Sequence, residues 1–334
     1  MNFTKFIGID ISKKTFDLAL IKSDSPEKQI KAKFINNHKG IVDLEQFIHE
    51  QGLKKDELLF CIEHTGLYCR VLSNYLVENQ YAVWLEMPVQ ILRSLGVQRG
   101  KNDQLDAQRI ATYAFTFKHK ARLWEPSREI IQRTHDLLTL RERLIESSKS
   151  ILVPIEELKA VGLTDEADTL KNHCKESLEA LDKEIKQIEK ELDDIINNDS
   201  IIKKKFNLAK SVPGIGKITA LSLLYYTNEF MMINSPKKLA CYCGVAPFAK
   251  ESGTSVKGKT RVSNFANKAL KRLLHMASMA AISSDKELSA YYQRKVAEGK
   301  NKMLVLNAVR NKIIHRVCAV IKRGPPYIRD YELA

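Results

Sequence analysis

The chain has 334 residues, 44% of them hydrophobic and 28% charged, a composition of soluble globular proteins and a length that predicts more than one domain. No apolar run is long enough to span a bilayer, and the N-terminal stretch reads without a signal-peptide pattern. The formal net charge is +14, and from Phe206 to Ala334 there are 22 Lys and Arg against 7 Asp and Glu, a net of +15 that leaves −1 for the first 205 residues. A basic half of that size predicts a polyanionic partner. Nucleic acid comes before membrane, because no Lys/Arg-rich amphipathic anchor with a Trp face is evident. The six cysteines (Cys61, Cys69, Cys174, Cys241, Cys243, Cys318) are scattered among mostly apolar neighbours and read as core thiols of a reducing cytosol.

The first 125 residues alternate strand and helix signals. Phe6–Ile11 and Thr15–Lys22 predict a hairpin around a polar turn at Ser12, Lys13 and Lys14, and Ile30–Ile35 predicts a third strand. Gly40–Gln51 has apolar residues at helical spacing. Leu58–Ile62 is a continuous apolar run, as in a strand buried on both faces. Leu67–Val77 reads helical, Tyr81–Leu85 as a strand stopped by Pro88, and Gln104–Phe115 as a helix. The order βββαβαβα predicts a mixed α/β sheet in the style of RNase H.

Ser127–Lys205 is rich in Glu, Lys, Leu and Ile. Leu178, Leu181, Ile185, Ile188, Leu192 and Ile195–Ile196 recur at three- and four-residue steps, which predicts a coiled-coil-like seam. Pro154 and Gly162 punctuate the segment and predict two antiparallel helices. From Phe206 the composition shifts to Gly, Ser, small apolar and basic residues, with a last helix over Lys302–Lys322 before Gly324-Pro325-Pro326. The expected domains are therefore 1–125, an RNase H-like (RuvC-like) catalytic domain; 126–205, a helical arm; and 206–334, a basic, mainly helical C-terminal domain.

Asp10 lies inside the first strand between Ile9 and Ile11, where a carboxylate is costly unless a cation meets it. Glu63 follows the apolar run of the fourth strand. Asp103 and Asp106 in "KNDQLDAQRIA" fall at i and i+3, on one face of a helix start. In an RNase H topology these four acids converge at one sheet edge, and four oxygen ligands suit Mg²⁺, as two ions with Mn²⁺ as a substitute. In "SVPGIGKITALSLL", Gly214 and Gly216 predict a tight turn between helices. Such turns offer backbone amides to nucleic-acid phosphate beside Lys217. "AKESGTSVKGKTR" reads as a polar loop with Ser252 and Ser255 among Lys250, Lys257, Lys259 and Arg261, where a hydroxyl among cations is a candidate nucleophile. Lys271 and Arg272 extend the basic stretch.

Taken together, "IGIDISKKTFDLAL", "CIEHTGLYCRVL", "GKNDQLDAQRIA", "SVPGIGKITALSLL" and "LACYCGVAPFAKESGTSVKGKTRVSNFANKALKRLLHMA" resemble the DEDD transposases of the insertion-sequence-one-ten family, with their pilin-gene invertase relatives. Asn102 stands where Thr is common, and Glu251-Ser252-Gly253 where members have Ser-Ser-Gly. The resemblance implies a prokaryotic, cytoplasmic, nucleoid-associated recombinase that joins donor and target DNA under guidance of a structured noncoding bridge RNA. It implies metal ions on Asp10, Glu63, Asp103 and Asp106, Ser252 as nucleophile, and homodimers assembling into a tetramer. A RuvC-like two-metal nuclease is the alternative, needing the four acids and no serine. A sugar-kinase-like ATPase would need further Gly-rich phosphate loops, and a binding scaffold would leave the acids dispensable.

Overall fold

A computed structural model describes residues 3–94, 102–252, 256–262 and 266–328, with the side chains at 249–261 outside the description. The chain divides into two compact units, Met1–Pro126 and Ser127–Ala334.

In the first unit the strands are β1 (Lys5–Ile11), β2 (Thr15–Lys22), β3 (Ile30–Ile35), β4 (Leu58–Glu63) and β5 (Ala82–Glu86). The helices are α1 (His38–Glu50), α2 (Leu67–Glu78), α3 (Pro88–Ser94) and α4 (Asp103–Thr116). They build one mixed sheet of order β3-β2-β1-β4-β5. β1–β2 and β2–β3 are antiparallel, and β1–β4 and β4–β5 are parallel. The βββαβαβα reading of the sequence is thus observed, with α3 added after Pro88, a residue preorganised for a helix start. β1, β2 and β4 are apolar through most of their length because both faces are covered. Ile7, Ile9, Leu18, Leu20, Phe60 and Ile62 form one core together with Leu44, Leu72 and Leu76 of α1 and α2. Phe6, Ala19, Leu59, Cys61 and Trp84 face the other way and pack with Ala107, Ile110, Ala111 and Ala114 of α4.

Gly8 sets how closely α4 lies on β1. A Cβ there would stand 2.1 Å from the Ala111 nitrogen and 2.4 Å from the Ala107 oxygen, so only glycine permits this backbone approach. The N-terminus of α4 is capped by the Asn102 side chain, which accepts from the Gln104 N–H at 2.9 Å. Asn102 therefore serves as the helix cap.

The second unit comprises α5 (Glu129–Ala160), α6 (Thr164–His173), α7 (Lys175–Asn198), α8 (Ser200–Ser211), α9 (Lys217–Tyr226), α10 (Pro236–Tyr242), the hairpin β6 (Pro247–Ser252) and β7 (Val256–Val262), α11 (Lys268–Ser284), α12 (Lys286–Ala297) and α13 (Lys302–Arg323). Between 127 and 205 there are four helices where the sequence predicts two. Pro154 lies inside α5 without ending it, and the break comes at Gly162, whose φ of +90° glycine readily adopts. α5 and α7 pair through Arg133–Glu191 (2.9 Å) and Arg141–Glu189 (2.8 Å). The α7 stripe is buried at Ile188, Leu192, Ile195 and Ile196, where it joins the core formed with α8, α9, α11 and α13. At Leu178, Leu181 and Ile185 the stripe is only half-buried. "AKESGTSVKGKTR", expected as a loop, is largely a two-stranded hairpin in which Ser252 pairs with Val256. Gly324 ends α13 with φ +92°, at the stop signal the sequence carries. Among the described residues no helix is long and apolar enough to cross a membrane.

Candidate active site

The register of the sheet brings charge into one row. Asp10 pairs with Asp17 across β1–β2, and Asp17 with Lys33 across β2–β3. On the parallel side Ile9 pairs with Ile62, and one more step sets Asp10 level with Glu63, which pairs with Glu86 of β5. Directly opposed residues share a sheet face. The row therefore runs Lys33, Asp17, Asp10, Glu63, Glu86 on the face that Gly8 opens to α4. That helix brings Asp103 and Asp106 in its first turn.

The electrostatics match this geometry. Burial first, then Glu63, Asp106, Asp103 and Asp17 in that order, push the Asp10 carboxyl up to about 6. Among the described residues Asp10 has no ion pair. Asp106 accepts from Arg109 Nη1 at 2.6 Å, which fixes one of its oxygens. Asp17 is almost fully buried, and Lys33 Nζ stands 3.0 Å from its Oδ2 while Oδ1 is buried without a hydrogen-bond partner. Glu86 Oε2 accepts from the Tyr113 hydroxyl of α4 at 3.0 Å, and its Oε1 from the Met87 N–H at 2.7 Å. Burial, then Glu86, hold the Tyr113 phenol well above its ordinary range.

Among the described residues no three acidic, histidine or cysteine side chains are already gathered into a group that could hold a metal ion. The donor chemistry nonetheless fits a hard divalent cation. It is all carboxylate oxygen, and the mutual repulsion recorded at Asp10 is what a cation relieves. Asp10, Glu63, Asp103 and Asp106 are the residues that would hold it.

Sequence reasoning passed over Asp17, Lys33, Glu86 and Tyr113. A signal for Asp17 existed: it interrupts the apolar run of β2, and a hairpin turning at 12–14 sets it opposite Asp10. Glu86 and Tyr113 left none, since strand-end glutamates and helical tyrosines are ordinary.

In the second unit the Pro-Gly-Ile-Gly turn joins α8 to α9. Gly214 has φ +86°, and a Cβ there would stand 2.2 Å from the Ala277 oxygen of α11, so the fold itself needs this glycine. Gly216 is the N-cap of α9 and faces open space. Lys217 Nζ is taken up by Asp193 Oδ1 (2.7 Å) and the Glu189 carbonyl (2.8 Å), both on α7. Lys271 is half-buried, and Arg272 pairs with Glu142. Ser252 closes β6. Its side chain, with those of Lys250, Lys257, Lys259 and Arg261, lies outside the described residues, as does Ser255 altogether. Cys61, Cys69, Cys243 and Cys318 are buried, Cys174 and Cys241 half-buried, and all six are unpaired.

Comparison with known proteins agrees with both units. The family model of the DEDD transposases of IS110 elements matches residues 7–155. The model of the transposase IS116/IS110/IS902 family matches residues 207–293. The pilin gene-inverting protein of Moraxella lacunata is 28% identical over 330 residues, covering 96% of this chain and 97% of that protein, and its counterpart in Moraxella bovis matches equally. The transposase for insertion sequence element IS1111A of Coxiella burnetii is 23% identical over 367 residues, covering 98% of this chain and 92% of the relative. With two family models on successive segments and relatives aligned from end to end, the chain belongs to the IS110 family of transposases.

Proposed function

We propose that the protein is the DNA-recombining enzyme of an insertion sequence. It cuts and rejoins donor and target DNA with an RNase H-like acid cluster and a serine nucleophile, guided by a bridge RNA. One observation carries the reading: Asp10 and Glu63 on adjacent central strands and Asp103 and Asp106 on the first turn of α4, spread over 97 residues of sequence, come near enough that the other three push the Asp10 carboxyl up. The strand order supports the RNase H-like assignment, and the family membership supports the transposition chemistry.

Magnesium or manganese bound there, as one or two ions, would supply charge neutralisation for the scissile phosphate. The chain's own residues do the rest. Asp10 and Glu63 come from adjacent central strands, so their spacing is fixed by sheet hydrogen bonds. Asp103 and Asp106 come from a capped helix seated on Gly8. Glu86 and Tyr113 tie that helix to β5. In the proposed step the Ser252 hydroxyl oxygen attacks phosphorus. One phosphorus–oxygen bond to the DNA sugar breaks, the serine proton passes to solvent or a nearby base, and the departing oxygen takes up a proton. The phosphoserine link conserves the bond for rejoining. The basic second unit would hold nucleic-acid backbone, with Gly216, Lys250, Lys257, Lys259, Arg261 and Lys271 as contacts. The half-buried stripe of α7 supports a role for the α5–α7 arm in assembling dimers and then a tetramer.

The test is a denaturing-gel assay of purified protein with Mg²⁺, element-end RNA and labelled donor and target DNA. Wild type should give a covalent protein–DNA adduct that Ser252→Ala and Asp10→Ala both lack. Cleavage without an adduct, kept by Ser252→Ala and lost in Asp10→Ala, would mean a RuvC-like two-metal nuclease and would remove the serine from the mechanism.

A further inference from the structure

Among the described residues of the second unit, one buried cation meets no counter-charge. Arg310 sits on the inward face of α13 among Val305, Leu306, Val309, Ile313 and Ile314, and only 5% of it is exposed. Burying a guanidinium is tolerated when a carboxylate meets it. Other arginines of this unit do meet carboxylates, such as Arg128 with Asp199 and Glu229, or Arg316 with Asp285 and Glu287. Arg310 has none among the described residues. Its Nη2 lies 2.7 Å from His275 Nδ1 of α11, its Nη1 lies 3.4 Å from Asn307 Oδ1, and its Nε is buried without a partner.

The partner atom is informative. A guanidinium only donates hydrogen bonds, so His275 Nδ1 must accept. The imidazole proton then resides on Nε2. That N–H has no partner among the described residues, and His275 is partly exposed. Arg310 thus fixes the tautomer of His275, and its unneutralised charge lies behind the outward donor. Lys271, one turn earlier on the same helix, is also partly exposed. Asn307 Nδ2 donates at 2.8 Å to the carbonyl of Val245, two residues before the hairpin strand that ends in Ser252. A donor backed by a buried positive charge, with a lysine one turn away on the same helix, calls for an anion.

We propose that His275 and Arg310 form a phosphodiester-binding dyad, with His275 Nε2–H contacting a nucleic-acid phosphate and Arg310 acting through it as a positioning residue. The ligand class rests on the transposase reading, since a basic unit in a DNA-processing family meets phosphodiesters.

The test measures binding of the full-length protein in EDTA to a fluorescent random-sequence DNA duplex and to a single-stranded RNA, across a KCl series. It uses wild type, His275→Phe and Arg310→Met, with melting curves recorded without nucleic acid. For a duplex contact, each variant should lower the slope of log K against log [KCl] by about 0.9, and for a single-stranded RNA contact by about 0.7. The arm that changes names the source of the phosphate. Because Arg310 has no carboxylate to leave stranded, Arg310→Met should melt at or above the wild-type temperature. Wild-type slopes in both variants would overturn the dyad while leaving the transposase reading intact. A lowered melting temperature with an unchanged slope would make Arg310 a structural group. Wild-type protein that binds neither probe would remove the dyad and the nucleic-acid reading together.

Discussion

Gly8→Ala is the sharpest perturbation of the acid cluster that leaves every acid in place. The added methyl would meet the Ala111 nitrogen at 2.1 Å, the Ala107 oxygen at 2.4 Å and the Ala111 Cα at 2.7 Å. All three are backbone atoms, so no side-chain rotation relieves the overlap. α4 must therefore move off β1 by about 1 Å or more, and overpacking of this kind costs roughly 1–3 kcal/mol. In a unit of this size that is a fall in melting temperature of about 5–10 °C. Asp103 and Asp106 ride on the displaced helix, and a misplacement of about 1 Å can cost on the order of 100-fold in rate. Circular dichroism melting and metal-dependent DNA cleavage, run beside wild type, measure both effects. A Gly8→Ala protein that melts and cleaves like wild type would refute the seating of α4 on β1. It would also refute the argument that this contact aligns the acids.

Other expectations follow from the same geometry. The Asp10 carboxyl is raised to about 6 in the fold from an ordinary 3.8, so the folded state holds its proton more tightly than the unfolded chain. Stability of the metal-free protein should therefore fall as pH rises from about 4 through 6, by about 1–2 kcal/mol once solvent screening is allowed for. Asp10→Asn should accordingly raise the melting temperature in EDTA at pH 7.5 and leave it unchanged at pH 4. Mn²⁺ affinity, followed by calorimetry, should drop as pH is lowered through 6, and a flat profile would argue against Asp10 as a ligand. Arg128 donates to Glu229 Oε2 (2.8 Å) and Oε1 (2.7 Å) and to Asp199 Oδ2 (2.6 Å), while Glu229 is 3% exposed in a loop where Asn228, Glu229 and Phe230 all have positive φ. Arg128→Ala should destabilise the second unit by about 2–3 kcal/mol in urea unfolding, because Lys205 at 3.7 Å compensates Glu229 only in part. Gly214→Ala should lower its stability by a comparable amount, since the methyl would meet the Ala277 oxygen at a φ that L-residues rarely adopt.

Much of the fold is legible in the sequence because its signals are local. Alternation and apolar runs mark the strands, and the polar triplet at 12–14 marks the hairpin turn. The place of Asp10 inside an apolar strand raises the question of a cation without any structure, and the i, i+3 spacing of Asp103 and Asp106 marks the further acids that we propose share it. Other readings failed where packing overrides a local rule. Pro154 does not end α5, and Gly162 does. The stretch around Ser252 is Gly-rich and polar yet pairs as a hairpin. Lys217 stands beside a Gly-rich turn and is drawn to Asp193 rather than left to solvent.

By itself the sequence determined the order of the elements in the first unit, the approximate placement of the four acids that we propose bind metal, and the concentration of positive charge after residue 205. These depend on residue type and on spacing within an element. Only the tertiary structure decided that Lys33 extends the row beyond Asp17, that Glu86 and Tyr113 tie α4 to the sheet, and that Gly8 and Gly214 are points of backbone approach. It also paired His275 with Arg310, 35 residues apart on different helices. Strand register and helix packing join residues that no local pattern connects, and there the energy of a contact depends on what the rest of the chain brings to meet it.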